Sequence, residues 1–69
     1  MGIIGRLRAE GVRVNSTLVA RVVHEVTGVQ RKPGTFRQME RSGIPAWLMP
    51  RVGEVIARAR EVVDARPVG

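Results

Sequence analysis

The stretch that decides the fold reads Gln30-Arg31-Lys32-Pro33-Gly34-Thr35-Phe36-Arg37-Gln38-Met39-Glu40-Arg41-Ser42-Gly43-Ile44-Pro45. It holds four of the twelve basic residues of the chain against one acid. Pro33-Gly34 is typical of a turn, so we expect a break over residues 30 to 34, followed by a short helix over about 35 to 41. Phe36 and Met39, three residues apart, give this helix one apolar side on which to dock. The pattern predicts a small helix held by its apolar face, with a cationic face turned outward.

Three flanking segments have the apolar spacing of amphipathic helices, and we predict helices over residues 3 to 10, about 17 to 27 and about 50 to 65. The second is the clearest: Asn15, Ser16 and Thr17 are candidate N-caps, and Gly28 stands where a left-handed residue ends a helix. Short helices with short connections indicate a compact all-α domain of four or five helices. The 69 residues leave room for one domain, in which residues 66 to 69 are expected to form a frayed tail.

The predicted core collects the apolar stripes of these helices: Leu7, Leu18, Val19, Val22, Val23, Val26, Phe36, Met39, Ile44, Leu48, Val52, Val55, Ile56 and Ala59. We interpret Trp47-Leu48-Met49 as core filling as well, with a dimer contact through Trp47 as the alternative. On the outer faces, helical spacing predicts three ion pairs, Arg21 with Glu25, Glu54 with Arg58 and Arg60 with Asp64.

The formal net charge of +6 and the isoelectric point of about 11.8 favour a polyanionic partner, nucleic acid first and an anionic membrane surface second. Eleven of the twelve cations are arginine, which a GC-rich genome would also produce. The chain has no cysteine and a single histidine, His24, so we expect no metal and no cofactor. No apolar run is long enough to cross a bilayer and no signal peptide is recognisable, so a cytoplasmic protein is expected.

Enzyme signatures are missing from the sequence. It contains no phosphate-binding loop with Lys and Ser/Thr, no His-Glu-x-x-His motif, no nucleophile elbow and no paired carboxylates near a base. We therefore expect neither catalysis nor a small-molecule substrate.

A helix-turn-helix is the hypothesis that fits the order of elements. The helix over 17 to 27 would be the supporting helix of this motif. The helix over 35 to 41 would be the recognition helix, which enters the major groove of double-stranded DNA. Its outward residues Thr35, Arg37, Gln38 and Arg41 would face DNA, with Arg37, Gln38 and Arg41 reading base edges. Arg31 and Lys32, in the turn, would reach phosphates. The alternative is an ordinary small bundle whose cations form a solvated face.

The run Gln38-Met39-Glu40-Arg41-Ser42-Gly43-Ile44-Pro45-Ala46 resembles the end of the recognition helix in Cro-like and YdaS-like phage regulators, where aromatic-Glu-Arg-x-Gly-Ile-Pro-Ala recurs. Residues 19 to 29, ending in Gly28-Val29, are similar to the first helix of that motif. Met39 replaces the usual tryptophan, and the segment 30 to 34 looks about two residues longer than the family's turn. The resemblance implies operator binding, usually as a dimer, and repression or activation of phage or prophage promoters.

As a DNA-binding protein, a dimer would read two half-sites about one DNA turn (~34 Å) apart. Its contact would be the last helix, through Val55, Val62 and Val63, or Trp47.

Two further functions remain open at this point. The chain is alternatively a small basic adaptor that binds a host or partner protein, such as a polymerase modulator or an antitoxin. RNA binding is the least favoured, because Phe36 and Trp47 are the only aromatic residues available for base stacking.

Overall fold

Four α-helices and one 3-10 helix make up the regular structure of residues 1 to 65, the part of the chain that the computed structural model describes. The predicted frayed tail at 66 to 69 lies outside the described residues. No strand occurs between residues 1 and 65, so the predicted all-α class is confirmed. The helices are α1 (Ile3–Ala9), α2 (Ser16–Thr27), α3 (Pro33–Ser42) and α4 (Val52–Asp64), with the 3-10 helix at Met49–Arg51 directly before α4.

Both predicted ends of α2 are confirmed. The Asn15 side-chain oxygen accepts a hydrogen bond of 2.8 Å from the backbone N–H of Leu18, which satisfies one of the free donors in the first turn. Gly28 ends the helix with φ +75°, a conformation that is favourable for glycine alone among the common residues. The Thr27 hydroxyl donates to the Val23 carbonyl and accepts from the N–H of Val29, so the chain leaves α2 in a fixed direction.

The helix α3 begins at Pro33, two residues earlier than predicted. Pro33-Gly34 was interpreted as a turn, and this was wrong because proline also suits the first position of a helix, where its fixed φ fits and its missing N–H is not needed. Lys32 before it is extended (φ −70°, ψ 149°), as a residue preceding proline prefers. The connection from α2 to α3 is therefore only residues 28 to 32, and the two residues that made it look long belong to the helix.

The core lies where α2 is covered by α3 and α4, with α1 closing the side next to α3. Most of the predicted core is buried, although Val26, Ile44 and Ile56 are only partly so. Sequence reasoning left out five residues that are also buried, on α1, on α2 and in the extended connection between them: Ile3, Ile4, Val12, Val14 and Ala20. The alternation of Val12 and Val14 is too short to predict a strand and indicates only an extended connection.

The Trp47-Leu48-Met49 cluster corrects the core prediction. Leu48 is fully buried, but Trp47 is 38% exposed and Met49 57% exposed. Trp47 and Leu48 lie in the turn before the 3-10 helix and Met49 is its first residue, so successive side chains point in different directions and only Leu48 reaches the core. Val55 is fully buried within the chain, so the predicted dimer contact through this residue is wrong.

Glu40 fastens α3 to the start of α1. Its Oε1 accepts a hydrogen bond of 2.8 Å from the backbone N–H of Gly5, thirty-five residues away in sequence. The N-cap residue of α1, Gly2, has no side chain to offer, so the Glu40 carboxylate takes the place of a cap at the positive end of the helix. A Cβ on Gly2 would lie 2.6 Å from the carbonyl carbon of Met39, which shows how closely the two backbones approach.

The helices α2 and α4 are joined by arginines of the second half of the chain. Arg51 donates a 2.8 Å hydrogen bond to the carbonyl of Val26 in the last turn of α2. Arg58 binds Glu25 of α2 at 2.7 Å and also pairs with Glu61 at 2.9 Å. The hydrogen bond from Arg58 lowers the pKa of Glu25, and the two carboxylates raise the pKa of Arg58.

The three ion pairs expected from helical spacing are not the ones that form within residues 1 to 65. Arg60 is paired with Glu10 at 3.9 Å and not with Asp64. Glu25 binds Arg58 across the helix interface instead of Arg21 on its own helix. Glu54 is paired with Arg51 at 2.7 Å and not with Arg58. Helical spacing states which side chains can reach each other along one helix, whereas the neighbouring helix offers competing partners.

Candidate nucleic-acid interface

The helix α3 has two clearly different faces. Phe36 and Met39 are buried, at 0% and 5% exposure, and hold the helix on α2 and α1. Arg37, Gln38 and Arg41 are exposed, as predicted. The sequence therefore identified correctly which side of this helix is inward and which is outward.

The outward residues fall on neighbouring strips of the helix surface. Arg41 is a neighbour both of Gln38, three residues before it, and of Arg37, four residues before it. Arg37 lies on the flank towards α1 and the start of α2, where it lines a concavity with Arg8 and Asn15. Thr35 is half-buried and lies on the opposite flank, beside Gln38 in a second groove. The predicted DNA-facing residues of α3 thus divide into a central ridge, formed by Gln38 and Arg41, and two flanks. Arg37 lies on one flank and Thr35 on the other.

Arg31 and Lys32 are exposed in the connection before α3, as predicted. The Arg31 guanidinium lies 5.8 Å from the centre of the Trp47 ring and donates a 3.0 Å hydrogen bond to the carbonyl of Gln30. A cation at this distance from an indole face is attracted by the ring quadrupole. Arg31 is therefore held between α3 and the segment that follows it.

The cations of residues 1 to 65 divide into those that form ion pairs and those that do not. The arginines that form ion pairs lie on α1, on α4 and just before α4: Arg6, Arg51, Arg58 and Arg60. Within the same residues, the cations that form no ion pair lie on and around α3 and on the first half of the chain: Arg8, Arg13, Arg21, Arg31, Lys32, Arg37 and Arg41. All six predicted site residues belong to this region, which leaves it strongly positive.

Three residues near the site were not anticipated. Arg8 lines the concavity beside Arg37, and Arg21 and His24 line a shallow concavity with Arg31 at the beginning of α3. A signal for the last two was present, because Arg21 and His24 follow Thr17 at helical spacing on the side of α2 away from its apolar stripe. Only the packing of α2 beside α3 brings that side next to the predicted site.

A groove of about 390 Å³ runs along α3 on the side of Thr35. Its α3 wall is formed by Thr35, Gln38 and Ser42, and its other wall by the segment that follows the helix, including Trp47. Gly43 makes this segment possible, because it leaves α3 with φ +90°. Sequence reasoning did not anticipate the groove, because its two walls come together only through the change of chain direction at Gly43.

Between residues 1 and 65 no three His, Asp or Glu side chains come together as a metal site would require. No helix in the same range has the length and apolar character needed to cross a bilayer.

No family model, no curated protein and no solved structure matches this chain.

Proposed function

We propose that this chain is a small sequence-specific DNA-binding protein that regulates transcription, of the phage or prophage type, and that α3 enters the major groove. The observation that carries the proposal is a cluster of unpaired cations at α3, whose apolar face is used for docking. Arg41 lies on the helix itself, and the concavities beside this helix are lined by five cations that form no ion pair within residues 1 to 65: Arg8, Arg21, Arg31, Lys32 and Arg37. Unpaired cations clustered about one helix of a small domain are the electrostatic footprint of a polyanion-binding surface.

The division of α3 into a ridge and two flanks suggests how contacts are shared. Gln38 and Arg41 on the ridge are placed to reach base edges, where glutamine pairs with adenine and arginine with guanine. Arg37, on the flank towards the start of α2, reaches either a base or the adjacent phosphate. Arg31 and Lys32 contact phosphates, and Arg21 extends this contact along α2. Affinity should fall steeply with salt, because each neutralised phosphate releases counterions.

One short helix contacts too few bases for useful specificity, so we propose a two-fold dimer with half-sites about one DNA turn (~34 Å) apart. Because Val55 is fully buried, the dimer contact falls to Val62 and Val63, which are only partly buried on α4.

The resemblance of residues 38 to 46 to Cro-like and YdaS-like regulators supports the same proposal. Glu40 docks α3 on α1, and Gly43 ends α3 with a positive φ. Met39, where the family has tryptophan, is buried and replaces one apolar side chain by another. These residues account for much of the shared motif as helix-docking and helix-ending residues, which leaves specificity to the exposed positions.

Footprinting of the DNA upstream of the gene tests the proposal. We expect a protected, two-fold symmetric site that is lost in Arg37→Ala/Gln38→Ala. Arg60→Ala is the matched control, because it also removes an arginine but one that pairs with Glu10 away from α3. Arg31→Ala should lower the slope of log affinity against log salt by about 1. Equal, weak binding of the wild type to every duplex, unchanged in Arg37→Ala/Gln38→Ala, would refute specific readout.

A second candidate is an adaptor that binds a host or partner protein. The exposure of Trp47 and Met49 favours it, because large apolar side chains at a surface are typical of protein contacts. The footprinting experiment separates the two candidates. A DNA-binding regulator is expected to protect a symmetric DNA site, whereas an adaptor that binds a protein is not.

A further inference from the structure

The exposed ring of Trp47 lies in the groove beside α3 and is not part of the proposed major-groove contact. Trp47 is 38% exposed, although an indole side chain gains free energy by burial in a core. Met39 and Ile44 contribute apolar surface next to it. The groove therefore offers a flat aromatic surface on an apolar floor, at about 390 Å³ within the size range of small-ligand sites.

Hydrogen-bonding groups face the same groove from α3. The Gln38 amide presents a donor and an acceptor side by side, the arrangement that pairs with the edge of a nucleobase. The hydroxyls of Thr35 and Ser42 lie on the same wall. The Ser42 hydroxyl is directed to the carbonyl of Gln38 at 3.4 Å, which leaves its lone pairs free to accept.

Positive charge stands at the entrance to the groove. Arg31 lies 5.8 Å from the Trp47 ring centre, and neither Arg31 nor Lys32 forms an ion pair within residues 1 to 65. A phosphate flanking a base stacked on Trp47 would meet this charge. A second copy of the chain would instead bring its own Arg31 and Lys32 to the contact, and juxtaposed like charges are unfavourable.

We propose that this groove binds an unpaired base of single-stranded DNA, stacked on Trp47, with its edge on Gln38 and its phosphates on Arg31 and Lys32. An aromatic platform beside unpaired cations is how proteins bind single strands. Binding of a single strand goes beyond the recognition of duplex DNA. It rests on the proposed function in one respect, namely that the polyanion bound by this protein is DNA. Because Gln38 and Arg31 serve both modes, single-stranded and duplex DNA should compete.

The fluorescence of Trp47 tests the proposal directly, because the chain has one tryptophan and no tyrosine. The probes are an oligothymidylate of about ten nucleotides and an abasic strand of the same length and charge. We expect the oligothymidylate to quench Trp47 emission and to bind about tenfold more tightly than the abasic strand. Equal quenching and equal affinity for both strands would overturn the proposal, because the contact would then be to phosphates alone.

Variants are measured by anisotropy of a labelled oligothymidylate, which does not need the tryptophan signal. Trp47→Ala should weaken binding about tenfold, whereas Trp47→Phe should retain most of the affinity. Met49→Ala is the matched control, since Met49 is exposed in the same segment but does not line the groove. An equal loss in Met49→Ala and Trp47→Ala, with both variants folded by circular dichroism, would overturn the stacking contact.

Two other results would also overturn the proposal. Tighter binding of an oligouridylate RNA than of the oligothymidylate would overturn the assignment to DNA. A blue shift of Trp47 emission that grows with protein concentration alone would show that a second copy covers the ring. Failure of this proposal is separable from failure of duplex recognition, because the footprint can be tested with Arg37→Ala alone, which removes a side chain outside the groove.

Discussion

Replacing Gly5 by alanine is expected to destabilise the domain, although glycine-to-alanine changes inside helices usually stabilise. Gly5 lies within α1, where alanine has the better helix propensity by about 1 kcal/mol. A Cβ at this position, however, would lie 2.6 Å from the Glu40 Oε1 and 2.7 Å from the Met1 Cγ. The exposed Met1 can move away, but the Glu40 carboxylate cannot move without losing its hydrogen bond to the N–H of Gly5.

The size of the effect follows from these opposing contributions. A hydrogen bond to a charged group stabilises by about 1.5–3 kcal/mol. The other Glu40 oxygen, Oε2, is buried without a hydrogen-bond partner, so the carboxylate has little room to rearrange. After subtraction of the gain in helix propensity, we expect Gly5→Ala to lower the free energy of unfolding by about 0.5–2 kcal/mol.

Gly53→Ala is the matched control. Gly53 lies in α4, and a Cβ there would have no heavy atom within 4 Å beyond its own helix backbone and chain neighbours, so alanine should raise stability by about 0.4–1 kcal/mol. In a domain of this length each kcal/mol shifts the Tm by about 4–8 °C. Thermal and urea unfolding followed by circular dichroism should therefore show opposite shifts for the two variants.

If Gly5→Ala and Gly53→Ala raise the Tm alike, the close approach of α1 to Glu40 does not limit the space at Gly5. A double-mutant cycle adds a second criterion, because Gly5→Ala should cost much less in a Glu40→Ala background. An identical cost in both backgrounds would assign the clash to another group and contradict the role given to Glu40.

Three further outcomes are expected. Asn15→Ala should lower the free energy of unfolding by about 1 kcal/mol in urea titrations, because the N–H of Leu18 loses its cap, while Asn15→Asp should retain most of the stability. Gly43→Ala should cost about 1–2 kcal/mol by the same measurement, since alanine is strained at φ +90°; a neutral result would show that the end of α3 readjusts. Arg58 holds the pKa of Glu25 below its ordinary value of 4.5, so the stability that their pairing provides is present above that value and is lost as the pH falls through the lowered pKa. The difference between wild type and Glu25→Gln should accordingly close in acid and shrink in high salt, and a difference independent of pH would contradict the pairing.

The helices were largely predictable because their signals are local. The apolar period of α2, its cap at Asn15 and its left-handed end at Gly28 are properties of a dozen consecutive residues, and the structure confirms them. The docking side of α3 followed in the same way from Phe36 and Met39. The start of α3 was missed because a Pro-Gly pair is compatible with both a turn and a first helical turn, and local chemistry alone does not choose between them.

The sequence by itself determined the all-α class, the main helices, the apolar face of α3 and the excess of positive charge. Only the tertiary structure decided which charges remain unpaired. Glu25 forms its ion pair with Arg58 of another helix, and Glu40 accepts a hydrogen bond from the N–H of Gly5. It also decided that Trp47 stays at the surface beside α3. The physical reason is range: helix periodicity acts over a few residues, whereas charge pairing and burial depend on which distant segments the packing brings together.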